Sequence, residues 1–215
     1  MYPRERLRRA MALYAVTDRT WLAGRTLPGC VAEVLAGGAT FVQLREKDAP
    51  HEETVALARA ILPLCRQAGV PFVVDDDVQA ALEAQADGVH VGQDDAACAD
   101  ARDLLGPDKI VGVSVQTVGQ ALAAQAAGAD YLGVGALFGT PTKPDATLVS
   151  LDELRAVCQA VDVPVVAIGG LNERTVPALA GTGVDGAAVV SALFAAADPQ
   201  AAARTLAARV RAVLE

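Results

Sequence analysis

At 215 residues and 53% hydrophobic content, the chain is long enough to bury one large core, and its length does not call for a second domain. A formal net charge of −8 argues against a general nucleic-acid binder, which needs surplus clustered Lys and Arg. No 18-residue apolar span and no signal-peptide pattern occur, so we predict no membrane partner and a cytoplasmic location. We expect a single domain over residues 1–215, with 1–10 as a basic, frayed and solvated N-terminal segment.

Aromatic residues make up only 4% of the chain, so the core must be filled by Val, Leu, Ile and Ala. This mix is typical of parallel sheets covered by helices. The cysteines lie far apart without metal-binding spacing, which predicts reduced, buried thiols. They are Cys30, Cys65, Cys98 and Cys158.

Apolar runs and helix-forming segments alternate along the chain. The predicted strands cover residues 11–16, 40–44, 71–74, 88–91, 110–113, 131–135, 163–168 and 186–190. The predicted helices cover 27–35, 50–67, 78–85, a segment ending at 105, 117–127, 151–160, 172–183 and 199–214. Because parallel neighbours connect with a right-handed crossover, these pairs predict a (β/α)₈ TIM barrel, a single compact α/β domain. A doubly wound open sheet is the alternative, but no Gly-x-Gly-x-x-Gly follows an early strand.

Polar residues follow nearly every predicted strand. Active sites of such barrels lie at the carboxyl ends of the strands, so these residues would face one cavity, with scattered surface polarity as the alternative. The set comprises Thr17, Gln43, Arg45, Lys47, Asp75, Asp76, Asp95, Ser114, Thr140, Thr142, Lys143, Gly170 and Ser191.

The loop after the sixth strand, residues 138–144, carries two hydroxyls and one ammonium next to its prolines. Pro141 and Pro144 limit the backbone freedom of the residues between them, so less entropy is lost when these donors hold an anion. We interpret the loop as an anion-binding loop; an ordinary solvated turn is the alternative.

Carboxylates and cations stand at neighbouring strand ends. Asp76 and Asp95 could share a hard cation, with Mg²⁺ favoured by oxygen ligands, or could repel each other and serve in acid/base catalysis. Arg45, Lys47 and Lys143 supply the positive charge that a diphosphate needs.

Glycine pairs and histidines complete the pattern. Gly169 and Gly170, with the Val190–Ser191 step, occupy the place where barrels often bind a phosphate, although a glycine pair can simply ease a turn. His90 lies within a strand and is expected to be a satisfied interior residue rather than a base, whereas His51 is expected to be solvated.

Six motifs in order resemble the thiamine-phosphate synthase family over about residues 14–194. They are Val-Gln-Leu-Arg-Glu-Lys-Asp at 42–48, Gly-Val-His-Val-Gly-Gln-Asp-Asp at 88–95, Gly-Val-Ser at 112–114, Thr-Pro-Thr-Lys at 140–143, Ala-Ile-Gly-Gly at 167–170 and Val-Val-Ser at 189–191. The resemblance implies a (β/α)₈ enzyme that joins 4-amino-5-hydroxymethyl-2-methylpyrimidine diphosphate to 4-methyl-5-(2-phosphoethyl)thiazole and releases diphosphate. It also implies a dissociative reaction, in which the diphosphate leaves first.

The resemblance further assigns roles, including one Mg²⁺ per subunit held by Asp76 and Asp95. Small phosphorylated substrates are the implied partners, and a homo-oligomer is possible. Ser114, Lys143 and Arg45 would act in catalysis. The implied substrate-binding set is Gln43, Leu44, Arg45, Glu46, Lys47, Asp75, Ser114, Thr140, Pro141, Thr142, Lys143, Gly170, Val190 and Ser191.

The chain departs from the family pattern after the third strand, where the family usually has Asn-Asp-Arg and this sequence has Asp75, Asp76 and Asp77. Asp75 replaces a neutral donor with an acceptor that would repel phosphate unless protonated or metal-bound. Two alternatives stay open. One is a thiazole tautomerase, which would use a His near Gln116, and the other is a non-catalytic regulator that binds a thiamine precursor. The segment 22–29 is a candidate lid or an ordinary surface loop.

Overall fold

The computed structural model describes residues 3–92, 98–139 and 147–215. Its strands are all parallel and close into a barrel in sequential order, with the last strand paired to the first. The strands are β1 (Leu13–Val16), β2 (Phe41–Leu44), β3 (Phe72–Asp75), β4 (Gly88–Val91), β5 (Ile110–Val115), β6 (Tyr131–Val134), β7 (Val165–Ile168) and β8 (Gly186–Val189). The predicted (β/α)₈ fold is confirmed.

Helices surround the barrel. They are α1 (Arg4–Ala10), α2 (Leu27–Ala36), α3 (His51–Ala68), α4 (Val78–Glu83), α5 (Cys98–Leu105), α6 (Val118–Ala126), α7 (Leu151–Ala160), α8 (Ser191–Phe194) and α9 (Pro199–Leu214). The predicted N-cap Thr117 accepts a hydrogen bond from the Gln120 backbone N–H. No helix in the described ranges is both long and apolar enough to cross a membrane.

The helix predicted over 172–183 is wrong, because only a short 3₁₀ segment, Val176–Leu179, forms there. The side chain of Asn172 accepts from the Arg174 N–H, and the Thr175 hydroxyl accepts from the Asn172 N–H. Such local side-chain bonds compete with helical backbone bonds. A turn therefore replaces a regular helix on this side of the barrel.

The interior of the barrel contains three of the few aromatic rings. Tyr14 and Phe41 have ring centroids 4.5 Å apart, and the Tyr131 ring lies 5.5 Å from Phe41 and 5.9 Å from Tyr14. A side chain at Gly112 would overlap the Tyr131 ring, so a glycine on β5 makes room for this packing. Low aromatic content is thus compatible with an aromatic barrel centre.

The N-terminal segment closes the amino-terminal end of the barrel, which corrects the prediction of a frayed, solvated arm. Leu7 on α1 and Met11 just after it are fully buried and pack into the same interior cluster as Tyr14 and Phe41. Arg8 fixes the helix, since its guanidinium donates to Asp185 Oδ1 at 2.6 Å. The four arginines of this segment predicted a solvated arm, whereas Leu7 between them is buried.

The cysteines carry free thiols in the folded chain. Cys30, Cys65 and Cys98 are buried as predicted, and Cys158 is half-buried. Burial raises the pKa of Cys65 and of Cys158 to about 12. These groups therefore stay as unreactive thiols near neutral pH.

Replacing Leu7 with Ala is expected to lower the free energy of unfolding by roughly 2–5 kcal/mol, because the change leaves a cavity in the barrel interior. Urea denaturation followed by circular dichroism measures this loss. Leu104→Ala is the matched control, since Leu104 is 55% exposed, and it should change stability by less than about 0.5 kcal/mol. Equal effects of the two changes would show that α1 does not contribute to the core.

Candidate active site

A cavity of about 420 Å³ opens at the carboxyl ends of the strands. Every strand contributes to its wall, so closure of the barrel is what assembles it. The predicted residues that line this cavity are Gln43, Arg45, Lys47, Asp75, Asp76, Ser114, Gly170, Val190 and Ser191.

Alternation along and beyond β2 decides which of its residues reach the cavity. Gln43, Arg45 and Lys47 line the wall, whereas Leu44 is fully buried among the residues under the helices. Glu46 also lies off the wall, where its carboxylate pairs with Arg19 Nε at 2.6 Å. The predicted substrate-binding set is therefore corrected for the side chains of Leu44 and Glu46.

Thr17 is buried and supports the rim without lining the cavity, contrary to its predicted place. Its Oγ1 accepts a hydrogen bond from the Arg45 backbone N–H at 3.0 Å. The exit of β1 thus fixes the backbone from which the Arg45 guanidinium extends. Within the described ranges, this guanidinium forms no ion pair.

Lys47 stands between two carboxylates at the end of β3. Its Nζ lies 3.4 Å from Asp75 Oδ2 and also pairs with Asp76 Oδ2. Asp76 has a φ of 62°, a left-handed conformation that costs a non-glycine residue free energy. A hydrogen bond of 2.8 Å from its N–H to the His90 carbonyl holds this conformation. The rim therefore combines the Lys47 ammonium with the two carboxylates that neutralise its charge.

Asp77, the third acidic residue of this run, turns away from the cavity. Its Oδ1 caps α4 by accepting from the Ala80 N–H at 2.8 Å, and its Oδ2 lies 2.7 Å from His51 Nδ1. His51 also contacts Glu83, and hydrogen bonds to these carboxylates raise its pKa. His51 is thus half-exposed and paired, which corrects the expectation of a merely solvated side chain.

A chain of hydrogen bonds crosses the floor of the cavity. Gln43 Nε2 donates to Tyr14 Oη at 2.9 Å, and the two phenol oxygens of Tyr14 and Tyr131 are 2.7 Å apart. Tyr131 Oη lies 2.9 Å from His90 Nδ1, and His90 Nε2 lies 2.9 Å from Ser114 Oγ. The prediction that His90 is a satisfied interior residue is confirmed.

Burial lowers the pKa of His90 to about 4, and the nearby Lys47 ammonium adds to this effect. The imidazole is therefore neutral near pH 7. The sequence analysis did not include Tyr14 or Tyr131 in the site. A tyrosine on a strand that faces a glycine of the next strand, as Tyr131 faces Gly112, is the signal that could have found Tyr131.

The exits of β7 and β8 form the opposite wall. Gly169 and Gly170 adopt φ values of 98° and 66°, and a Cβ on Gly170 would approach Phe138 Cβ to 2.7 Å. The Gly170 carbonyl accepts from Asn172 Nδ2 at 3.1 Å and from Thr175 Oγ1 at 3.0 Å. These two side chains, which the sequence analysis did not select, fix the orientation of the glycine turn.

The segment 22–29 is anchored by Arg25. Its Nη1 donates to the Ala196 carbonyl and its Nη2 to the Phe194 carbonyl, both at 3.1 Å. Its Nε donates to the Leu22 carbonyl at 3.0 Å. The candidate lid is therefore tied to the end of α8, the helix that begins at the cavity wall.

Several predicted residues lie outside the described ranges. They are Asp95 and the loop residues Thr140, Pro141, Thr142 and Lys143. Their predicted roles stay predictions. The described ranges contain no cluster of three or more His, Cys, Asp or Glu arranged to hold a metal. Asp75 and Asp76 nevertheless present carboxylate oxygens to the cavity, and oxygen donors suit a hard cation such as Mg²⁺.

Fold and site together define a class: a (β/α)₈ barrel whose strand-end cavity combines cations, carboxylates and a glycine turn, the groups that bind small phosphorylated molecules. A family model for thiamine monophosphate synthase matches residues 13–193. The chain belongs to this family.

Individual relatives agree with this assignment. The chain is 47% identical to the thiamine-phosphate synthase of Roseiflexus sp. (strain RS-1) over 204 residues, covering 94% of this chain and 86% of the relative. It is 49% identical to that of Chloroflexus aurantiacus over 199 residues, with 92% of each covered. The solved thiamine phosphate pyrophosphorylase from Pyrococcus furiosus superposes with a TM-score of 0.90 at 40% identity, covering 97% of this chain and 100% of that one.

Acid is expected to destabilise the fold through His90. Its pKa falls from 6.5 to about 4 on folding, so the unfolded chain binds more protons between these values. The stability that the neutral ring contributes is therefore present above about pH 6.5 and is lost as the pH falls toward 4, by on the order of 3 kcal/mol in total. Urea unfolding between pH 7 and pH 4.5 should show a shallower acid dependence for His90→Gln.

His51→Gln is the control for this experiment. The pKa of His51 is raised in the folded chain, so its contribution has the opposite sign and favours the fold at lower pH. Its removal should steepen the acid dependence or leave it unchanged. An unaltered slope in the His90 variant would mean that the buried imidazole does not control acid stability.

Proposed function

We propose that this protein joins 4-amino-5-hydroxymethyl-2-methylpyrimidine diphosphate to 4-methyl-5-(2-phosphoethyl)thiazole, giving thiamine phosphate and diphosphate. One observation carries the proposal: groups suited to bind phosphoryl oxygens lie at two separate parts of the cavity wall. Arg45 and Lys47 extend from the β2 side, and the Gly170 turn and the Val190–Ser191 step lie at β7 and β8. Two phosphorylated substrates that react with each other need such an arrangement.

The chain's own residues divide between the two ends. Arg45 and Lys47, with Gln43 and Ser114, bind the diphosphate end of the pyrimidine substrate. At the other wall, the backbone N–H groups of Gly170 and of the first turn of α8 bind the phosphate of the thiazole, because N–H groups at a helix start suit an anion. Thr140, Thr142 and Lys143 are proposed to complete the site, and Lys143 adds a third cation.

The reaction requires stabilised charge more than a base. The bond between the pyrimidine methylene carbon and the diphosphate oxygen breaks, and its electron pair leaves with diphosphate. The thiazole nitrogen then donates its lone pair to the methylene cation, so no proton is transferred. Cations at the rim stabilise the departing charge, which increases in the transition state. A neutral His90 fits this chemistry, since no residue has to accept a proton.

Mg²⁺ is proposed to bind at Asp76, with Asp95 as its second carboxylate. Asp76 suits this role because its carboxylate faces the cavity and consists of oxygen donors alone. When bound, the cation would neutralise part of the diphosphate charge. Asp75 and Asp76 already balance Lys47, so their rearrangement around Lys47 would accompany binding.

The two alternatives have less support. A thiazole tautomerase would use a His near position 116, where Gln116 donates its Nε2 hydrogen to the Thr147 carbonyl at 3.3 Å. A non-catalytic regulator was suggested by Asp75 and Asp77. Asp77, however, is used as a helix cap and as a partner of His51, so its presence says nothing against catalysis.

The direct test mixes the purified chain with both substrates and Mg²⁺ and detects thiamine phosphate by chromatography. Product should form, and Arg45→Gln should lower kcat/KM by roughly 10- to 100-fold, because it removes a charged contact to diphosphate. Arg59→Gln is the matched control, since Arg59 on α3 donates to the Glu83 carbonyl away from the cavity. Absence of product at every Mg²⁺ concentration would favour the regulator.

Asp75→Asn tests the departure from the family pattern. The change removes a negative charge 3.4 Å from Lys47 Nζ and restores a neutral donor, so the KM for the pyrimidine diphosphate should fall or stay unchanged. Steady-state kinetics at saturating thiazole phosphate measure this constant. A marked fall in kcat would instead show that Asp75 has a role of its own in turnover.

A further inference from the structure

The hydrogen-bond chain on the cavity floor connects two residues of the proposed diphosphate site, Gln43 and Ser114, through three groups that do not belong to it. Tyr14 and Tyr131 are at most 1% exposed and His90 is 8% exposed, so bulk water has little access to the chain. Each internal group has a partner on either side within this hydrogen-bond chain, and Tyr131 has a further hydrogen bond with Gln43. The direction of every bond is therefore determined by its neighbours.

The Gln43 end decides the direction. The amide nitrogen of Gln43 can only donate, so the Tyr14 oxygen accepts there and its own hydrogen must go to Tyr131. The Tyr131 oxygen accepts this hydrogen and also accepts from Gln43, and its remaining partner is His90 Nδ1. Tyr131 must donate to that nitrogen. The proton of the neutral imidazole is consequently on Nε2, which donates to Ser114 Oγ.

We propose that this chain of hydrogen bonds holds His90 in the Nε2–H tautomer. As a result, the Ser114 hydroxyl hydrogen points away from the imidazole, toward the ligand side of the cavity. Tyr14 and Tyr131 are positioning residues that act through His90 and Ser114. The part of this inference that concerns substrate rests on the proposed function. The part that concerns the tautomer does not.

A reversed chain is the competing arrangement. If the amide of Gln43 were turned so that its oxygen accepted from Tyr14, every bond would run the other way. His90 would then carry its proton on Nδ1, and Ser114 would donate to Nε2. The Ser114 hydroxyl hydrogen would then be bonded to His90. The Ser114 oxygen would present only lone pairs to an anionic ligand, and these lone pairs would repel the ligand. The two arrangements thus differ in which nitrogen of the His90 imidazole carries the proton.

Nuclear magnetic resonance distinguishes them directly. The chain has only two histidines, so protein labelled with ¹⁵N-histidine gives two imidazoles in a multiple-bond ¹H–¹⁵N correlation spectrum at neutral pH. His51→Gln removes one and assigns the other. The proposal expects the His90 proton on Nε2 and an Nδ1 that accepts a hydrogen bond. A proton on Nδ1 would overturn it, whether or not the protein is active.

Tyr131→Phe tests the cause. Loss of its hydroxyl removes the donor that keeps Nδ1 unprotonated, so the Nδ1 resonance should shift and part of the His90 population should carry its proton on Nδ1. If this variant fails to fold, Tyr14→Phe interrupts the chain one bond earlier. Thr54→Val is the control, because Thr54 is another buried hydroxyl, located on α3 away from the cavity. An Nδ1 resonance that does not move in either tyrosine variant would contradict the proposal.

Kinetics test the consequence. Tyr131→Phe should lower kcat/KM for the pyrimidine diphosphate by roughly tenfold, about the worth of one oriented hydrogen bond to a charged group, and leave the KM of the thiazole phosphate unchanged. In a Ser114→Ala background, the same change should have almost no further effect, because both variants remove one interaction. Additive losses would show that Tyr131 does not act through Ser114. If no variant and no wild-type protein turns over, the proposed function fails and the spectrum still decides the tautomer.

Discussion

Closure of the sheet by pairing of β8 with β1 is the constraint on which the rest of the structure depends. It brings the carboxyl ends of all strands onto one rim, so residues as distant in sequence as Gln43 and Ser191 face the same cavity. The ring is filled from inside by Tyr14, Phe41 and Tyr131 and closed at its other end by Leu7. Tyr14 belongs both to this aromatic filling and to the cavity lining, so the packing that stabilises the barrel also shapes its site.

Local charge, and not net charge, decides what this cavity can bind. The chain carries a formal charge of −8, yet Arg45 and Lys47 extend from a single strand end. Lys47 is balanced by Asp75 and Asp76, whereas Arg45 forms no ion pair within the described ranges. The two cations thus differ in whether an existing ion pair must break when an anion binds. Arg45 offers its charge directly, and Lys47 has to exchange carboxylate partners.

The sequence predicted the barrel and the charged residues of the cavity wall, because both follow from periodicity and chain order. The end of each strand can be predicted from its apolar run, and this gives the positions of Arg45, Asp76 and Gly170 at the cavity. Glu46 was misplaced because a motif match carries every residue of a run, while alternation turns each second one outward. The helix predicted after β7 failed because the bonds of Asn172 and Thr175 to nearby backbone are invisible to a hydrophobic pattern. Tyr14 and Tyr131 were missed since their partners come from other strands.

The polar chain explains why so apolar an interior tolerates two phenols and an imidazole. A buried polar group without a partner costs about 1–3 kcal/mol, and each of these three groups has at least two partners. The proposed chemistry transfers no proton, so it does not require His90 to gain or lose one, and the ring can serve to connect and orient its neighbours. Aliphatic replacements would remove the cost of desolvation but would also remove the partners of Gln43 and Ser114 on this floor. The polar groups on this floor therefore need hydrogen-bond partners that an aliphatic core would not need, but they fix the directions of the donors at the cavity wall.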